Sequence, residues 1–174
     1  CLQIATDIEA YSKFMPVKVT AVYGGAPITK QIKELQQRPQ IVVGTPGRTL
    51  DLIERKKLRI EDVQFLVLDE ADEMLSMGFQ DELDAILANT PEYKQTLCYS
   101  ATMPDGMKKL TKKYLHEPKE ISAGKRNISA SNVSHELYVV SAKHTYEAMR
   151  RIMDFNPNMY GIVFCRTRRE TQSI

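Results

Sequence analysis

The chain has 174 residues, 43% of them hydrophobic and 26% charged, and its net charge is +2. That balance is ordinary for a soluble globular protein and excludes disordered and collagen-like chains; the length allows one domain, or one and a piece. The apolar runs are far too short to cross a membrane, and so small a net charge does not by itself imply a nucleic-acid partner.

In chain order, apolar β-branched runs alternate with stretches of helical period. Strands are predicted at 17–23, 41–43, 65–69, 95–100, 119–123, 135–142 and 161–165. Amphipathic helices are predicted at 2–14, 27–37, 48–55, 80–90, 105–115 and 144–155. Strand–helix alternation of this kind predicts an α/β fold with a mainly parallel sheet flanked by helices. The polar stretch AGKRNISASN, residues 123–132, breaks the rhythm and reads as a linker. The 42 residues after it are too few to close a doubly wound core of their own. The expected organisation is therefore most of one domain over 1–122, a linker over 123–132, and the opening of a second domain over 133–174. Both ends are expected to be cut from a longer protein.

Residues 123–174 carry 8 Lys/Arg and 4 Asp/Glu, hence +4, whereas residues 1–122 carry 16 and 18, hence −2. An excess of that size is usual for a solvated face, as is the basic helix face KKLTKKYL, residues 108–115. Cys1, Cys98 and Cys165 are odd in number and far apart, which suits neither a disulfide framework nor a metal cluster. They predict structural thiols in a reducing, cytoplasmic setting. The eight Met residues are expected to fill gaps in the core.

The stretch FLVLDEADEML, residues 65–75, drives an apolar strand straight into Asp69, Glu70, Asp72 and Glu73. In an open parallel sheet, ligands sit at the carboxyl ends of strands. A strand-end Asp can hold the water shell of Mg²⁺ near nucleotide phosphates, and a neighbouring Glu can orient or deprotonate an attacking water. Acidic residues also suit the first turn of a following helix, and this stretch alone leaves both readings open.

Its surroundings add to it. VLDEADEMLSMGF (67–79) resembles the second motif of the DEAD-box ATP-dependent RNA helicases. YSATMP (99–104) resembles their Ser-Ala-Thr motif, VGTPGR (43–48) their Thr-Pro-Gly-Arg motif, YGG (23–25) their Gly-Gly motif, and IVFCRT (162–167) their fourth motif, in the family's order. The resemblance covers essentially the whole chain and is similar in flavour to the bacterial cold-shock type.

The resemblance implies two RecA-like lobes joined by a linker, with ATP and Mg²⁺ in the cleft and RNA held across both lobes by sequence-nonspecific backbone contacts. It implies that Asp69 reaches Mg²⁺ through water and that Glu70 is the general base. Asp72 would bond with Ser100 and Thr102, coupling the nucleotide site to the RNA side. Gly24, Gly25, Thr45, Gly47 and Arg48 would hold the RNA backbone, with Thr167 contributing from the second lobe. No G-x-x-x-x-G-K-[ST] loop occurs, so ATP hydrolysis is expected of the intact parent protein and not of residues 1–174 alone. Two rival readings fit the same residues: a nucleic-acid-binding clamp with a vestigial ATPase, and a DNA-directed relative in the same superfamily.

Overall fold

The structure is a computed structural model and describes residues 1–123 and 133–174. The chain divides into two compact units, Cys1–Asn127 and Ile128–Ile174. The linker expected at 123–132 lies, apart from Ala123, outside the described residues.

The first unit opens with α1 (Leu2–Tyr11), followed by β1 (Val19–Val22), α2 (Ile28–Leu35), β2 (Ile41–Gly44) and α3 (Pro46–Glu54). It continues with β3 (Phe65–Leu68), α4 (Ala71–Ser76), α5 (Gln80–Ala88), β4 (Gln95–Cys98) and α6 (Asp105–Tyr114). β1 and β2 run parallel, from Val19 opposite Ile41 to Val22 opposite Gly44. β3 and β4 also run parallel, from Phe65 opposite Gln95 to Leu68 opposite Cys98. Parallel neighbours need a crossover, and the helices between the paired strands supply it.

The parallel α/β character expected from the sequence is present, but among the described residues the strands form two separate two-stranded sheets. Each has its own core. Val22, Leu35 and Leu52 close the first, with Ile28, Ile32 and Val42 packed around them. Leu68, Ala71, Leu83, Leu87, Met107 and Leu110 close the second. Helices α3 and α5 pack against each other and join the two halves. Met107 is fully buried, whereas Met15, Met77, Met153 and Met159 are exposed, so gap-filling describes only part of the methionine set.

The predicted strand at 119–123 is irregular here. In the second unit the run predicted at 135–142 is irregular up to residue 141, as is 161–165, and the regular elements are a 3₁₀ turn (Ala142–His144), α7 (Thr145–Phe155) and α8 (Arg168–Ser173). β-branched composition marks a preference for a pleated, half-buried surface, and a strand forms only where a neighbouring ladder takes up its N–H and C=O groups. No such ladder reaches these runs among the described residues. Tyr138, Val140 and Val163 instead line a cavity of about 220 Å³ beside Met149, Ile152 and Met153 of α7. No helix is long and apolar enough to cross a membrane among the described residues.

The join between β2 and α3 is tight. A Cβ on Gly44 would collide with Thr49 Oγ1 and come within 3.0 Å of Val22 Cγ2. Gly44→Ala is therefore expected to displace the first turn of α3 and to cost about 1–3 kcal/mol, the usual range for overpacking. Urea unfolding of Gly44→Ala checks this, and adding Thr49→Ala should recover part of the loss; full stability in the single variant would show that Thr49 rotates away freely.

Candidate functional site

The four carboxylates after β3 take three different positions. Asp69 and Glu70 are exposed at the strand's carboxyl end. Asp72 is buried, and Glu73 is exposed in the first turn of α4. The reversal from strand to helix is completed in two residues. Glu70 makes it in the left-handed region, at φ 50° and ψ 46°, a conformation that costs a non-glycine residue about 1–2 kcal/mol. The N–H of Glu70 donates to Asp69 Oδ1 at 3.1 Å, which steadies the pair.

Two backbone bonds fix the turn to the end of β4. The N–H of Tyr99 donates to the Leu68 carbonyl at 2.7 Å, and the N–H of Ala71 donates to the Tyr99 carbonyl at 3.1 Å. Asp72 then reaches the next stretch. Its Oδ2 accepts from the Thr102 hydroxyl at 2.6 Å and from the Thr102 N–H at 2.9 Å. Of the two hydroxyls expected on Asp72, that of Thr102 donates directly. Ser100 Oγ donates to the Thr102 carbonyl at 2.6 Å and closes the Ser100–Thr102 turn.

The Thr102 hydroxyl holds the Asp72 carboxyl at about 2, below its ordinary 3.8, in opposition to burial, and the Thr102 N–H adds to the lowering. Burial pushes the Cys98 thiol up, and the Asp72 charge adds to the effect. A thiol raised in this way is a poor nucleophile, in keeping with a structural cysteine.

A second cluster gathers at the carboxyl ends of β1 and β2. Gly24 and Gly25 form the turn after β1, with Gly25 at φ +80°. Thr45 is the N-cap residue of α3, but its side chain makes no capping bond, and Pro46 occupies the first turn. The N-terminal N–H groups of α3 thus have no side-chain cap. A Cβ on Gly24, Gly25 or Gly47 would meet nothing within 4 Å, so internal crowding does not account for these glycines.

Arg48 is half-buried. Its Nη1 donates to the Ala26 carbonyl at 3.1 Å and to Gln31 Oε1 at 2.9 Å. Gln31 was not legible as a site residue from its type alone. The available signal was its place on α2, where it interrupts the apolar stripe of Ile28, Ile32 and Leu35.

In the second unit, Thr167 is the N-cap residue of α8. Its hydroxyl accepts from the Glu170 N–H at 3.2 Å. Arg166 pairs with Glu170 at 3.0 Å, while Arg168 and Arg169 are exposed. On the basic face of α6, Lys108 pairs with Asp105 and Lys113 with Asp84.

Asp69 and Glu70 suit Mg²⁺ as hard oxygen donors. Among the described residues no group of three or more His, Cys, Asp or Glu side chains is placed to cage a metal. Mg²⁺ does not require one, because it usually keeps several waters and binds through one or two carboxylates and substrate phosphates. The donor set therefore fits that ion.

Residues 1–110 match the family model of the DEAD/DEAH box helicases. The chain is 38% identical over 173 residues to the DEAD-box ATP-dependent RNA helicase CshA of Bacillus cereus, covering 99% of this chain and 33% of that protein. It is 40% identical to the protein of the same name from Streptococcus pneumoniae, again over 33% of that protein. The chain thus spans about a third of the length of these curated relatives. A DEAD box protein from the hyperthermophile Methanococcus jannaschii superposes with a TM-score of 0.67 at 38% identity, over 99% of this chain and 46% of that one. A hypothetical ATP-dependent RNA helicase from Sulfolobus tokodaii gives the same TM-score, 0.67, at 39% identity, over 70% of this chain and 36% of that one.

The Asp72–Thr102 bond carries a pH signature. Its folded carboxyl lies at about 2, below the ordinary 3.8. The bond therefore stabilises the folded state above the ordinary value, and that contribution is lost as pH falls from 3.8 towards 2. Urea midpoints measured across this window should fall less steeply for Asp72→Asn than for the parent. Parallel curves would show that the Asp72 charge contributes nothing to folding.

Proposed function

Because the chain belongs to the DEAD/DEAH box helicase family, we propose that it is the part of an ATP-dependent RNA helicase that carries the hydrolytic carboxylates and one section of the RNA path. Residues 1–122 form most of the first RecA-like lobe, 123–132 link the lobes, and 133–174 open the second. The observation that carries this reading is the division of labour after β3: Asp69 and Glu70 stand exposed at the strand end while Asp72 is committed to Thr102.

In this reading Asp69 would hold Mg²⁺, which when bound would supply positive charge against the ATP phosphates. Glu70 takes a proton from the water that attacks the γ-phosphorus; the bond to the bridging oxygen breaks, and ADP leaves. Asp72, Ser100 and Thr102 link that site to the RNA side. Gly24, Gly25, Thr45, Gly47 and Arg48 hold the RNA backbone, and Thr167 adds a contact from the second lobe. The open space beside Gly24, Gly25 and Gly47 supports a close approach of phosphate to main chain. Backbone contacts of this kind carry no base information. The free thiols of Cys1, Cys98 and Cys165 support a reducing compartment, the cytoplasm.

Glu70→Gln in the intact protein keeps the side chain's shape and removes the base. RNA-stimulated phosphate release should fall by about 10²–10⁴-fold while ATP still binds. In the same assay residues 1–174 alone should stay at the buffer rate, because they contain no phosphate-binding loop. Turnover by Glu70→Gln at the parent level would make the carboxylate pair structural.

Arg48→Ala tests the RNA path. Affinity for unrelated single-stranded RNAs should fall about equally, and the slope of log affinity against log salt should drop by roughly 0.7, the single-strand value for one phosphate contact. An unchanged slope with lost ATP affinity would move Arg48 to the nucleotide cleft.

A further inference from the structure

Gln31 lies on α2 and is 3% exposed, a position where the nitrogen and the oxygen of an amide each need a partner. Its Nε2 donates to the Tyr23 carbonyl at 3.0 Å, and its Oε1 accepts from Arg48 Nη1 at 2.9 Å. The orientation of the amide follows from chemistry, since a carbonyl can only accept and a guanidinium can only donate. Arg48 Nη1 also donates to the Ala26 carbonyl at 3.1 Å. One side chain thus grips both ends of the Tyr23–Ala26 turn, directly at Tyr23 and through Arg48 at Ala26.

The same bonds orient Arg48. Two of the five guanidinium N–H donors are committed, both on Nη1. Among the described residues no acceptor takes the Nε–H or the Nη2 hydrogens, which form the edge that binds a phosphate through two parallel bonds. A free arginine must lose the freedom of its long side chain on binding, whereas one already held loses less.

Resting on the proposed RNA path, we infer that Gln31 is a positioning residue for RNA binding: it fixes the Arg48 guanidinium against the Tyr23–Ala26 turn and leaves the Nε/Nη2 edge free for one backbone phosphate. Gln31 does not touch RNA in this arrangement. It sets the geometry of the residue that does.

A double-mutant cycle in the intact protein tests this, with single-stranded RNA affinity measured at several salt concentrations. Gln31→Met keeps the volume and removes both bonds, and should weaken binding about tenfold, near the low end for a hydrogen bond to a charged group. In an Arg48→Ala background the same substitution should add nothing, an outcome that a purely structural role for Gln31 would not produce. Equal loss in both backgrounds, or no loss in either while Arg48→Ala weakens binding, overturns the inference and leaves the RNA path standing. No loss in Arg48→Ala itself overturns the RNA path, and the inference with it. If Gln31→Met does not fold, Gln31→Asn completes the same cycle: its amide is one methylene too short to reach both Tyr23 and Arg48, and the loss of RNA affinity it causes must vanish when Arg48 is Ala.

Discussion

The carboxylate of Asp72 is the tie on which the β3–β4 half depends. It is buried and ionised, and it spends its charge on the N–H and hydroxyl of a residue thirty positions away, Thr102. A charge left without partners in such a place would be costly, so the arrangement persists only with the Ser100–Thr102 turn in register. That requirement fixes the end of β4 relative to the start of α4. It also fixes the direction in which the two preceding carboxylates, Asp69 and Glu70, leave the strand.

The β1–β2 half is built on the same rule with neutral chemistry. Gln31 is buried with its amide nitrogen and oxygen both bonded, and it holds the Tyr23 end of one turn directly and the Ala26 end through Arg48. In both halves the buried polar group faces inward and the groups assigned to ligands face outward. A buried hydrogen-bonded network is stiff because any displacement strands a polar atom. Exposed groups mounted on such a network inherit its order without being desolvated themselves.

The alternation of strands and helices was legible because apolar period and β-branched composition are local properties. β1 to β4 and all six predicted helices lie within a few residues of their expected places. The failures are non-local. The runs at 119–123, 135–142 and 161–165 have strand composition, but pairing depends on a neighbour that composition does not specify. α4 is not legible in the sequence because its six residues begin inside the acidic stretch and show barely more than one turn of period. The acidic cluster itself was visible, while its split into exposed and buried members depends on the path of β4. Gln31 is an intermediate case: a polar residue among Ile28, Ile32 and Leu35 signals a buried contact, but not with whom.

Glu70 shows where local preference and the role proposed for the residue part company. A left-handed residue between a strand and a helix would ordinarily be Gly or Asn, since a glutamate there is strained by about 1–2 kcal/mol. The strain is offset by bonds on either side of it: Tyr99 to Leu68, Ala71 to Tyr99, and Thr102 to Asp72. Gly at this position would relax the backbone and remove the carboxylate; a longer connection would keep the carboxylate and release its direction. A strained glutamate locked by its neighbours keeps both the group and its aim. Local rules are expected to fail at sites where chemistry dictates the residue and the surrounding fold dictates the conformation.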